Sequence, residues 1–220
     1  MMATVFPPES SAEALPRKRF TREDVERMLE AGLFAGQRYE LIDGDLINKT
    51  GQGSRHAFGI RLCGNWLLRI FEPRRVQIQL PVEAAEDERE LSLPEPDVAV
   101  LAEWKTEYQD RHPYSHEILL AVEVADTTAR FDLTRKAILC ARAGVREYWV
   151  LDLARRLLHV HRQPEGPLYR DIHIYSENDA VSMEGRSETV RVGDLCLASH
   201  PRLNPVILSR RYLDDAANFE

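Results

Sequence analysis

No run of about 18 apolar residues occurs in the 220-residue sequence, so no segment is expected to span a membrane. A basic-then-apolar leader is also missing. Residues 1–14 carry Pro, Ser and Glu instead, and the expectation is a cytoplasmic protein. Cysteine is scarce: Cys63, Cys140 and Cys196 are odd in number, widely spaced and never paired as C-x-x-C, which argues against disulfides and structural zinc. Cys63 and Cys140 fall among apolar residues of predicted helices, where buried free thiols are expected. There is no Walker loop, G-x-G-x-x-G or G-x-S-x-G, so nucleotide binding and serine hydrolysis have no motif behind them. Positive charge is in deficit, with 29 Lys+Arg against 36 Asp+Glu and a net charge of −7. A protein that holds nucleic acid by phosphate contacts alone is usually basic, so this acidity counts against such a partner. Acidic residues that chelate a cation would account for part of it, and the distribution of charge matters more than the sum.

What is present describes a globular chain, 44% hydrophobic and 30% charged, of a length that suits one domain. Residues 1–19 are expected to form a flexible arm, residues 20–198 the domain and residues 199–220 a tail. Thr21 opens a helix with Asp24 as its capping-box partner, Val25, Met28 and Leu29 as its apolar stripe and Gly32 as its stop. Asp43-Gly44 between apolar stretches predicts a hairpin. Residues 56–71 predict a long helix with Phe58, Leu62, Trp66 and Ile70 at helical spacing, ended by Pro73. Residues 76–80 alternate as a strand with Gln77 and Gln79 on one face, and residues 83–90 form an acidic, solvated connector. Residues 98–101, 118–124 and 148–151 are near-continuously apolar, as central strands covered on both faces would be. A helix over residues 133–143 stops at Gly144, and residues 157–162 and 169–175 predict outer strands. The sum is one α/β domain, a mixed β-sheet flanked by helices.

Chemistry concentrates around two carboxylates. Asp97 follows Pro96 at the start of one apolar strand, and Glu123 lies inside another, where an isolated charge is costly. Brought together, the two make an oxygen-rich site suited to Mg2+ or Mn2+. Lys136, on the next helix, can orient a water or stabilise phosphate charge. Each of these residues alone has a plain structural alternative as a loop cap or a partner of Arg. His112 and His116 share four-residue spacing but are separated by Pro113, and His159 and His161 share one face of a strand, which more often decorates a surface than binds metal.

The chain resembles the Uma2 family, a bacterial branch of the PD-(D/E)XK nuclease superfamily. The resemblance rests on Tyr39-Glu40-Leu41-Ile42-Asp43-Gly44, Glu95-Pro96-Asp97-Val98-Ala99-Val100, Val122-Glu123-Val124, Asp132-Leu133-Thr134-Arg135-Lys136, and the block from Ala141 to Val150. It implies a restriction-endonuclease-like core and a magnesium-dependent hydrolase site, with Asp97 as the PD aspartate and Glu123 as the following acid. Where the wider superfamily has lysine two positions after that acid, this chain has Ala125. Uma2-like sequences place the lysine on the following helix, here Lys136, and often read Met-Ser-Pro where this chain has Asn48-Lys49-Thr50.

Glu40, His56 and Gln79 also match the family pattern. Glu40 is expected as an extra carboxylate of the metal shell or as a surface strand residue. His56 is expected to bond phosphate or shuttle a proton, or to cap its helix. Gln79 is expected to orient the water or Asp97, or to supply plain strand polarity. A backbone carbonyl near Val124 would complete the protein ligands. Arg38, Arg55, Arg61 and Arg130 are candidates to grip the phosphates of DNA. Three readings stay open: a metal-dependent endonuclease, a catalytically silent module of the same fold that binds or regulates, and a metallohydrolase for a smaller phosphate ester. Apolar strands near Leu157 and Tyr169 make a homodimer possible to build.

Overall fold

The computed structural model describes residues 17–49 and 53–196; the expected tail, and the expected arm as far as residue 16, lie outside them. Helix α1 (Arg22–Glu30) opens with the expected capping box, Thr21 and Asp24 each accepting the other's backbone N–H at 3.1 Å. Its apolar stripe does not reach the core. None of its residues is buried and Leu29 is exposed, so α1 is held by polar tethers such as Arg22 to Glu83 at 2.6 Å. Strands β1 (Tyr39–Ile42) and β2 (Asp45–Asn48) follow as an antiparallel hairpin. Its turn residues Asp43 and Gly44 have φ of 49° and 79°, the left-handed pair that a right-twisted two-residue hairpin demands.

One six-stranded sheet carries the domain: β3 (Val76–Ile78), β4 (Val98–Leu101), β5 (Ile118–Ala125), β6 (Glu147–Asp152), β7 (Leu157–Glu165) and β8 (Leu168–Ser176), in that order. Only β5 and β6 run parallel, which makes the sheet mixed as expected. The parallel step needs a crossover, and the chain supplies it as a helical segment. Helix α2 (Ser54–Ile70) covers one face, with Trp66 stacked on Trp149 at 5.6 Å. On the other face lies the crossover: α3 (Ala129–Phe131), a π-helical turn Asp132–Lys136, and α4 (Ala137–Arg142). A small hairpin, β9 (Ala180–Ser182) with β10 (Thr189–Arg191), and α5 (Val192–Leu195) complete the α2 face. Covered on both sides, β4 and β6 are buried throughout, which is why they read as continuous apolar runs. Cys63, Cys140 and Cys196 are free and buried. Among the described residues no helix is long and apolar enough to cross a membrane.

Four local expectations are corrected. In α2 the buried face is Gly59, Ile60, Cys63, Gly64, Trp66 and Leu67, while Phe58 is exposed. Two glycines let the helix approach the sheet, and a stripe drawn from large apolar residues overlooks them. Gln79 does not continue β3: the strand ends at Ile78, and Gln79 turns to φ 53° with its N–H donating to Asp97 O at 3.1 Å. The acidic connector is not wholly solvated, because Arg22 neutralises Glu83 and allows its burial. His161 is not a surface residue either. Tyr148 and Tyr169 enclose it, at ring distances of 5.7 Å and 5.5 Å.

Candidate active site

The pairing of β4 with β5 sets Val98 opposite Val122, so Asp97, one residue before β4, arrives beside Glu123 and Val124. Asp97 Oδ2 accepts the Val124 N–H at 2.9 Å, which fixes the carboxylate at the strand end. Strand alternation turns Val122 and Val124 toward α2 and leaves Glu123 facing the crossover. Ala125 shares that face, buried with Ala129 and Ala137 along a seam of small residues. The helical segment can therefore close over the strand, and its π turn brings Lys136 against Glu123. Lys136 Nζ lies 2.6 Å from Glu123 Oε1 and 3.0 Å from Glu40 Oε2. Glu40, from β1, also accepts the Glu95 N–H at 3.1 Å. All three are buried.

His56, in the first turn of α2, approaches Asp97 Oδ1 with Nε2 at 3.4 Å. Lys49, just past β2, approaches the same oxygen at 3.5 Å and donates to Glu95 O at 2.6 Å. Asp132, at the head of the π turn, is buried and accepts from Thr128 Oγ1 at 2.6 Å. These groups surround one cavity of about 330 Å³. Its walls carry five carboxylates (Glu40, Asp97, Glu123, Asp126, Asp132) against two ammoniums, Lys49 and Lys136, and one imidazole, His56.

Electrostatics follow from burial and this pairing. Burial alone would raise the Asp97 carboxyl, but His56 and Lys49 outweigh it and hold the group below its ordinary range. Burial would lower the Lys136 ammonium, and Glu123 and Glu40 more than reverse that, so Lys136 stays charged. Burial pushes the Glu123 and Asp132 carboxyls up, against the pull of Lys136.

Among the described residues no group of three or more His, Cys, Asp or Glu side chains forms a ready metal cage. The donor set nevertheless fits a hard cation that keeps most of its waters, because such an ion needs only one or two carboxylates from protein. Asp97 Oδ1 and Glu123 Oε1 are both buried on the cavity, the first facing His56 and Lys49 and the second Lys136, and the walls carry more carboxylates than cationic side chains.

Five of the six expected side chains, Asp97, Glu123, Lys136, Glu40 and His56, line this cavity. Gln79 does not. Its side chain accepts from Arg38 at 3.3 Å, outside the lining, and only its backbone meets Asp97. Val124 lines the cavity, with its N–H engaged by Asp97. Lys49 and Asp132 were not expected. For Asp132 the signal was its four-residue spacing before Lys136. For Lys49 it was rarity: it is one of only four lysines in the chain, with Lys18, Lys105 and Lys136.

The sequence model of the Uma2 family, described as "Putative restriction endonuclease", matches residues 22–189. Among solved structures, the crystal structure of "a putative nuclease belonging to DUF820" from Anabaena variabilis superposes with a TM-score of 0.57 at 16% identity. That match covers 76% of this chain and 96% of the other, and it shows a shared fold. No curated protein matches the chain.

Proposed function

Since the chain belongs to the Uma2 family, we propose that it is a metal-dependent endonuclease that hydrolyses phosphodiester bonds of DNA in the Asp97–Glu123–Lys136 cavity. The observation that carries this reading is the convergence of two acids and a lysine, from three distant stretches of chain, on one cavity. Asp97 and Glu123 would hold Mg2+ or Mn2+. The chemistry such an ion supplies is acidification of a bound water and neutralisation of charge gathering on the scissile phosphate. Lys136, held between Glu123 and Glu40, would counter charge on that phosphate and position the attacking water. His56 aims Nε2 at Asp97 and so orients that carboxylate. Arg55 reaches toward Asp126 on the cavity wall at 3.8 Å and is placed to meet a neighbouring phosphate.

Nicking of supercoiled plasmid in Mg2+ or Mn2+ tests the reading. Asp97→Ala and Lys136→Ala should each abolish cleavage that the unmodified chain performs and that a chelator stops. Identical traces from all three proteins would end it.

One observation favours a second reading, a catalytically silent module that binds or regulates. Lys49 stands 3.5 Å from Asp97 Oδ1, an ammonium beside the carboxylate that would hold the ion. No metal-dependent cleavage, with DNA retained equally by the unmodified chain and Asp97→Ala, would select it.

A further inference from the structure

The sheet ends on β8, and among the described residues no strand pairs with its outer edge. Edge strands this long, at nine residues, ordinarily carry Lys, Pro or a bulge that discourages pairing. β8 has neither Lys nor Pro, and beside Arg170 and Asp171 it presents Leu168, Ile172 and Ile174, exposed by 55%, 54% and 59%. Ile172 and Ile174 are two residues apart and so lie on one face. Its polar groups are self-complementary: Asp171, an acceptor, and His173, a donor, flank Ile172 and lie 2.7 Å apart within the strand.

We propose that this edge is a self-association surface, on which two copies of the chain join β8 to β8, antiparallel about a two-fold axis at Ile172, into one continuous sheet. The register follows from the side chains. A two-fold sets residues equidistant from the axis opposite one another. Centred on Ile172, Asp171 of each copy meets His173 of the other, and the isoleucines of both copies gather on one face. Centred on Arg170 or Asp171, like charges would coincide. A centre at His173 sets imidazole on imidazole, and one at Ile174 sets Asp171 against Glu177. Like charges directly opposite destabilise a strand pair, and of these centres Ile172 alone sets the Asp171 carboxylate of each copy against the His173 imidazole of the other. The surface lies at the far end of the sheet from β4, so it stands or falls independently of the nuclease reading.

Opposed Cα atoms in antiparallel pairs lie about 4.5–5.5 Å apart, inside the span of roughly 4.4–6.8 Å that a disulfide tolerates. The native cysteines are buried, so one new thiol reports cleanly. Under mild oxidation the full-length Ile172→Cys variant should run almost entirely as a covalent dimer on a non-reducing gel. Leu168→Cys, which this register sets opposite Ser176, should stay uncross-linked. By sedimentation the unmodified chain should show twice the 25.3 kDa chain mass, and Ile172→Lys and Asp171→Lys a single chain mass with unchanged melting. Pairing Asp171→Lys with His173→Glu should restore the dimer. A single chain mass for the unmodified protein at micromolar concentration overturns the proposal, as does cross-linking at Leu168 rather than Ile172.

Discussion

Gly59 of α2 and Val124 of β5 meet so closely that a Cβ on Gly59 would lie 2.7 Å from Val124 Cγ1. Val124 also donates its N–H to Asp97, and His56 stands three residues before Gly59, so this contact sets the distance between two walls of the cavity. Gly59→Ala gains helix propensity of about 1 kcal/mol but overpacks a buried valine, a change that typically costs about 1–3 kcal/mol. The expected net is a loss of roughly 1 kcal/mol in urea unfolding, with cleavage impaired because α2 and His56 move outward. Gly64→Ala is the contrast. Its Cβ would meet only the side-chain end of Ile78, a half-exposed residue that can give way, at 3.1 Å, so stability should be unchanged or slightly raised.

Lys136→Met should destabilise the protein by about 3–5 kcal/mol, the usual penalty for breaking one side of a buried ion pair. The cause is Glu123 and Glu40, left uncompensated out of water. Replacing Glu123 by Leu in the same chain should recover part of the loss. A double-mutant cycle in urea measures the coupling, and strictly additive losses would show that the pair does not act as a unit.

Asp97→Asn keeps an acceptor for the Val124 N–H and should leave the fold intact, yet it removes the charge facing His56 and Lys49. Mn2+ binding by calorimetry should fall at least tenfold. Lys49→Met should act the opposite way, tightening Mn2+ because an ammonium near Asp97 Oδ1 is gone. Unchanged affinity in both variants would place the cation elsewhere.

His161 links folding to pH. Burial drops its pKa from 6.5 to about 4, so between those values the unfolded chain binds the proton more readily. Stability should therefore be unaffected by this group above pH 6.5, fall as pH drops toward 4, and level off below. The penalty is roughly 3–3.5 kcal/mol. His161→Leu should flatten that part of the profile in thermal melts taken from pH 7 to pH 4; an unaltered slope would assign the acid sensitivity to other groups.

Much of the fold was legible in the chain. Asp43-Gly44 can hardly be anything other than a tight hairpin, and the apolar runs of β4, β5 and β6 announced strands covered on both faces. The capping box of α1 reads directly from Thr21 and Asp24. Where the reading slipped, the reason was packing. The buried face of α2 depends on two glycines that have no hydrophobicity to detect, and His161 is enclosed by aromatic rings from two other strands. Gln79 left its strand through a backbone turn that alternation cannot register.

By itself the sequence determined most element types and singled out Asp97, Glu123 and Lys136 as candidates, because periodicity, turn chemistry and a misplaced charge in an apolar strand are local properties. Only the tertiary structure decided that Glu40 is buried against Lys136, that Lys49 and His56 flank Asp97, and that a π turn aims the lysine. These relations join residues up to about a hundred positions apart. They exist because strand register and a seam of small side chains bring backbones together, and no short stretch of sequence carries that distance information.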